Sequence, residues 1–187
     1  MIKPLLAFTL FLIINLSAVA VPKNVIILRH AEEPPKGREL SPKGFLRAEK
    51  LAEYFTADKF TQTFGAIDYL IAVKPKDLES SIRSFQTLYP TAQKTKKSIL
   101  QLNTKDETNL LGRALLISPE YHQKTIVIAW SHKKIGDLTR ALGIQDRDLE
   151  WRDGVFDRFW ILQYKTDNQT IQFSDLPQKL LEGDAEF

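Results

Sequence analysis

Four side chains in this chain have the types and placement to handle an anionic group. Arg29 and His30 come straight after Val25-Ile26-Ile27-Leu28, and Glu32, Glu33 and a Pro34-Pro35 break follow them. The pattern recurs at Ser131-His132, which ends the run Thr125-Ile126-Val127-Ile128-Ala129-Trp130. Arg83 lies early in a segment, residues 79–88, that has helical spacing. Two guanidinium forks can take phosphate oxygens bidentately, and a cationic His132 adds a third charge-assisted donor. His30 is then left to attack, because a neutral imidazole is nucleophilic through one nitrogen when a backbone carbonyl holds its other N–H. Phosphoryl transfer needs mainly positioning and charge stabilisation, which this set supplies without a metal. A metal site made from the two histidines and nearby carboxylates fits less well, since the paired arginines oppose a cation in the same pocket. The third histidine, His122, lies in a polar loop and has no role in this reading.

The elements that must position these residues follow from hydrophobic spacing. The aliphatic runs at 25–28 and 125–130 read as buried strands, and in open α/β sheets ligands bind at the carboxyl ends of such strands. Residues 66–73 and 98–102 are two further strands. Ser41-Pro42 supplies an N-cap and a first-turn proline for a helix that turns Phe45, Ala48, Leu51, Ala52 and Phe55 inward and leaves Lys43, Arg47 and Glu53 to solvent. A helix over 79–88 buries Ile82, Phe85 and Leu88 or Tyr89, and its N-terminus beside Arg83 makes an anion site. Another opens at Asp106-Glu107 and carries Leu110, Leu111, Ala114 and Leu115, and a last one runs over 133–142 to Gly143. The turn Trp151-Arg152-Asp153-Gly154 leads into a hairpin, 156–164 and 170–173, around Asp167-Asn168. Trp130, Trp151 and Trp160 read as packing residues.

The chain has 187 residues, 43% of them hydrophobic, which suits one core and one domain, residues 21–187. Residues 1–20 differ in kind: Met1-Ile2-Lys3 is a short basic start, Leu5 to Leu16 is almost wholly apolar, and Ala18-Val19-Ala20 is a small-x-small cleavage pattern. This is the pattern of a secretory signal peptide cleaved after Ala20, and its apolar run is short for a retained span of about 20 residues. The mature chain is therefore expected in the periplasm or outside the cell, with no stable membrane insertion. Loss of Lys3 takes the net charge from +3 to +2. Charges of both signs are interspersed, so the basic balance does not point to a nucleic-acid partner. Cysteine is absent, which rules out disulfides and thiolate chemistry.

At these residues the chain resembles the histidine phosphatase superfamily, the phosphoglycerate-mutase-like group. The matching segments are Leu28-Arg29-His30-Ala31-Glu32 for its arginine-histidine-glycine signature, Leu40-Ser41-Pro42-Lys43-Gly44 with Arg47-Ala48 for its helix start, Ser80 to Thr87 for its serine-x-x-arginine-x-x-glutamine-threonine segment, and Ser131-His132 for its second histidine. They agree in order and approximate spacing from residue 24 to about 165. The resemblance implies a three-layer α/β/α fold with a mostly parallel central sheet, a phosphohistidine intermediate on His30, a phosphate pocket from Arg29, Arg83 and His132, and no cofactor or metal. Ala31 stands where glycine is usual, and Lys133-Lys134 replaces the small residues usual after the second histidine. The family takes its proton donor from differing positions, and Asp106, Glu107, Glu32 and Glu33 are the candidates here. Arg38, in the loop before the first helix, is a further candidate for ligand contact. The expected activity is hydrolysis of a small phosphorylated substrate or a phosphoprotein, the rival being a noncatalytic phosphate-binding member. Lysines after the second histidine suit a highly anionic substrate or are exposed helix residues. A mutase fits less well, because a secreted chain seldom meets glycolytic sugar phosphates.

Overall fold

The computed structural model describes residues 21–145, 148–165 and 170–186. The leader at 1–20 and the turn at Asp167-Asn168 lie outside the described residues. Six strands form one sheet: β1 (Asn24–Arg29), β2 (Tyr69–Ala72), β3 (Ile99–Leu100), β4 (Thr125–Trp130), β5 (Arg158–Tyr164) and β6 (Ile171–Pro177). Their order is β3-β2-β4-β1-β5-β6, parallel through the first four, with β5 and β6 antiparallel at one side. Because successive side chains of a strand face opposite ways, a central strand must be apolar on both faces. β1 and β4 satisfy this: Val25, Ile27, Ile126, Ile128 and Trp130 enter one core, while Ile26, Leu28, Val127 and Ala129 enter the other.

Among the described residues five α-helices cover the sheet: α1 (Pro42–Thr56), α2 (Asp58–Phe64), α3 (Arg83–Thr95), α4 (Thr108–Ile117) and α5 (His132–Ala141). Leu51 and Phe55 of α1, Phe60 and Phe64 of α2, and Leu88 and Ala92 of α3 pack on one face. Leu111 and Leu115 of α4 with Ile135 and Leu138 of α5 pack on the other. The result is a three-layer α/β/α sandwich. Among the described residues no helix is long and apolar enough to cross a membrane.

This topology singles out one crevice. The helix following β1 lies on one face, the helix following β4 lies on the other, and the two strands are neighbours with Arg29 paired to Trp130. Chains leaving adjacent parallel strands in opposite directions open a gap at the strands' carboxyl ends, where ligands bind in open α/β sheets. His30 and His132 are the residues that leave β1 and β4 there, and the His30 N–H reaches the Trp130 carbonyl at 3.4 Å.

Several elements differ from the sequence expectation. Phe45 is 45% exposed and Leu110 59%, so neither belongs to its helix's inward stripe, while Arg47, expected in solvent, is buried. The α3 helix begins at Arg83, because Asp77 accepts hydrogen bonds from Glu79 N, Ser80 N and Ser80 Oγ and holds the preceding residues in a turn. It then continues through Pro90 to Thr95, since burial of Leu88, Thr91 and Ala92 outweighs the one N–H that proline removes. Tyr89 faces outward. Lys105–Glu107 is a separate 3₁₀ turn with a capping box on Thr104, and α4 proper starts at Thr108. The hairpin runs on to Pro177, and Trp130, Trp151 and Trp160 are all buried.

Candidate active site

His30 is set by backbone on both sides. Its Nδ1 lies 2.8 Å from the Ala31 carbonyl, so Nδ1–H donates there and Nε2 carries the lone pair. The Ala31 N–H in turn donates to Thr87 Oγ1 at 2.8 Å, and Thr87 Oγ1 donates to the Arg83 carbonyl at 2.8 Å. The Leu40 N–H donates to Gln86 Oε1. The glutamine-threonine pair at 86–87 thus fastens α3 to the loop after β1. Gly44 admits the same loop to the start of α1, since a Cβ there would run into the Glu32 carbonyl oxygen.

Burial, with Arg29 and Arg83 nearby, pushes the His30 imidazole down to about 4, against the opposing pull of the Ala31 hydrogen bond and Glu33. At neutral pH His30 is therefore the uncharged form that can attack. His132 is also lowered, by burial first and by Arg29 second, with Asp153 opposing. The cationic His132 expected from the sequence is thus not the favoured form of the free protein, because the buried position and the neighbouring guanidinium both disfavour a second positive charge.

Arg29 is 1% exposed and pinned from three sides: Nη2 to Glu33 Oε1 at 3.0 Å, Nη1 to Asp153 Oδ1 at 3.5 Å, and its guanidinium carbon 3.9 Å above the Phe156 ring. Arg83, the first residue of α3, donates from Nε to the Glu39 carbonyl at 3.0 Å and from its fork to Glu33 Oε2 and the Gly37 carbonyl. His132 Nε2 lies 3.4 Å from Asp153 Oδ1, and His30 Nε2 lies 4.0 Å from Glu33 Oε2. Two arginines and two histidines therefore face two carboxylates at one place. Arg29 Nε and His132 Nδ1 are buried with no hydrogen-bond partner among the described residues, an arrangement that costs stability unless a ligand uses it.

The other carboxylates considered from the sequence are engaged elsewhere. Glu107 accepts from Thr104 N and Oγ1, and Asp106 pairs with Lys76. Glu32 gives both oxygens to Arg47, which also holds Asp184 and Gln178. Arg38 turns its fork to the Leu78 carbonyl. The sequence marks Asp153 and Phe156 only as turn and strand residues; they reach the site because β5 pairs with β1 and brings the preceding loop back over Arg29.

The Arg47 cluster makes a stability prediction. Burial opposes the charge on Arg47, but Asp184 and Glu32 raise it above its ordinary value. Burial alone would raise the Asp184 carboxyl, yet Arg47 and the Leu180 and Leu181 N–H groups take it down to about 2. Arg47→Ala leaves the buried Asp184 carboxylate without its cation and Glu32 with only Lys43, and is expected to cost about 3–5 kcal/mol in a denaturant melt. Asp184 binds a proton less readily folded than unfolded, so its roughly 2 kcal/mol is present above the ordinary aspartate value and lost as pH falls toward 2.

No protein-family model matches the chain, and no curated protein sequence matches it. Solved structures do. A mycobacterial glucosyl-3-phosphoglycerate phosphatase superposes with a TM-score of 0.53 at 14% identity, over 83% of this chain and 97% of that one. The chain has the phosphoglycerate-mutase-like fold of the histidine phosphatases. A protein of Agrobacterium tumefaciens provisionally described as the phosphohistidine phosphatase SixA gives 0.52 at 19% identity, over 83% and 97%. A phosphoglycerate mutase of Plasmodium falciparum gives 0.52 at 12%, over 83% and 91%. In this histidine-phosphatase fold the crevice between β1 and β4 holds all four residues singled out from the sequence.

Proposed function

We propose that the chain is a metal-independent phosphomonoesterase that works through a phosphohistidine on His30. The observation carrying this reading is the Nδ1 hydrogen bond to Ala31, which leaves a buried, neutral Nε2 beside Glu33, the carboxylate that Arg29 and Arg83 hold. A phosphoryl group takes over the arginine forks from Glu33 and Asp153, and its charge favours protonation of His132, which then donates to it. Glu33, freed from the arginines as the anion binds, takes a proton from solvent; His30 Nε2 then forms the N–P bond as the P–O bond to the alcohol breaks, and Glu33 gives the departing oxygen that proton. Water then attacks phosphorus, its proton passes to Glu33, the N–P bond breaks, and phosphate leaves with His30 neutral again. Support for a phosphatase also comes from two of the structural neighbours, which are described as phosphatases. The test is release of phosphate by the mature protein in chelator across a panel of phosphoesters; no turnover on any of them would leave the noncatalytic phosphate-binding reading.

Glu33 is assigned as the acid because it is the described carboxylate nearest the attacking nitrogen. Glu33→Gln is expected to slow phosphoryl transfer to His30 from an alkyl phosphate by about 10²–10⁴-fold in single-turnover quench while sparing that step for nitrophenyl phosphate, whose leaving group needs no proton. Equal losses on both esters would remove the role.

We further propose that the protein is exported, on the strength of the basic start, apolar run and Ala18-Val19-Ala20. Mass spectrometry of the exported protein is expected to find Val21 at the amino terminus, and an intact 1–20 segment would contradict it.

A further inference from the structure

Beside the histidine pair lies a cleft of about 380 Å³, reached by His30, His132 and Arg83 and otherwise lined heavily by lysine. That volume falls in the range of small-molecule sites and exceeds what a lone anion fills. Lys74 and Lys76 come from the chain leaving β2, Lys105 from the 3₁₀ turn before α4, and Lys133 from the first turn of α5. Three separate segments thus deliver cations to one wall.

The acids nearby make their close contacts elsewhere and act on this wall only at longer range, Asp106 on Lys105 and Glu107 on Lys74. Glu33 is held by Arg29 and Arg83, Asp106 by Lys76, and Glu107 by Thr104. Lys74, Lys105 and Lys133 form no ion pair among the described residues. Arg29 and Arg83 already match the charge of one phosphoryl group. Three further ammonium groups, each a compact point charge on a flexible stem, match a second anion held near the first.

We propose that the substrate is a phosphomonoester bearing a second phosphate group, the reacting phosphate on Arg29, Arg83 and the histidines and the other on Lys74, Lys105 and Lys133. This rests on the phosphatase reading of the same site and names its substrate class. The second phosphate is not cleaved in the same binding event; it anchors the leaving group.

The probes are a matched pair, an alkanediol monophosphate and the corresponding bisphosphate. For the wild type, kcat/KM is expected to favour the bisphosphate by at least about tenfold, beyond the statistical factor of two from its two ends. In K74Q/K105Q/K133Q the ratio should fall to about two, whereas in K59Q/K94Q/K97Q, which removes the same charge from distant exposed positions, it should persist. A wild-type ratio near two, or a preference that survives the cleft substitutions, overturns the proposal. Titration calorimetry on His30→Ala protein separates the two readings: a bisphosphate preference in binding, sensitive to the cleft lysines, with no turnover by wild type refutes the catalytic reading and leaves the two-anion pocket standing. Equal affinity for both esters in that titration refutes the pocket whatever the turnover.

Discussion

His30→Ala is expected to abolish acid-labile phosphate incorporation and to lower turnover by roughly 10⁴-fold or more, the scale on which removal of a covalent nucleophile acts. The Ala31 hydrogen bond fixes which imidazole nitrogen of His30 carries the lone pair. Rapid quench with a radiolabelled phosphodonor checks it. His132→Ala should slow the reaction and still trap some label, because its part is to stabilise charge on the transferring group. Label that persists in His30→Ala and vanishes only in His132→Ala would exchange the two roles, and wild-type turnover without label would mean direct attack by water. The pH profile adds an independent reading. Only neutral His30 attacks, so kcat/KM should be lost as pH falls through about 4, well below the range of an ordinary histidine, because burial disfavours the protonated ring. An acid limb near 6.5 assigned to His30 would contradict the buried, neutral imidazole.

Arg83→Ala is expected to weaken vanadate or phosphate binding by roughly 2–5 kcal/mol, a loss of some 30-fold to several thousand-fold. Its fork holds Glu33 beside Arg29, the place where the incoming anion would be seated. Because Arg83 also ties the Gly37 and Glu39 carbonyls to α3, loosening of that loop contributes to the loss in the alanine variant. Arg83→Lys isolates the bidentate contribution: it keeps the charge but cannot reproduce the fork, and should remain impaired. Full anion affinity in either variant, measured by calorimetry, would remove Arg83 from the pocket.

The two kinds of residue in this site were not equally legible. Arg29, His30 and His132 stand at the ends of unbroken apolar runs, and an apolar run that stops at a cation and an imidazole is a local pattern. Arg83 was visible as a helix-start residue, although the Asp77 turn moved that start. Arg47 was misplaced because helical spacing assigns a face from periodicity alone, whereas the chain's carboxyl end supplies Asp184 and Gln178 and makes burial of a guanidinium tolerable. Asp153 was passed over because a polar residue before glycine in a turn has an adequate local explanation.

What the sequence determined by itself was which segments are strands, because side-chain alternation and burial on two faces demand continuous apolar runs, and which chemical groups those strands carry to their ends. The order of the strands was not in any segment. Only the tertiary structure decided that β4 lies between β2 and β1, so that Trp130 pairs with Arg29 and His132 emerges beside His30. Only it decided which carboxylates lie beside the histidines. Glu32 and Glu33 are neighbours of the same type, and the difference between them comes from what packs opposite: a buried Arg47 from α1 captures the first, and Arg29 with Arg83 holds the second beside His30. Strength of pairing depends on distance and desolvation, which are properties of the assembled layers and leave no trace in residue spacing.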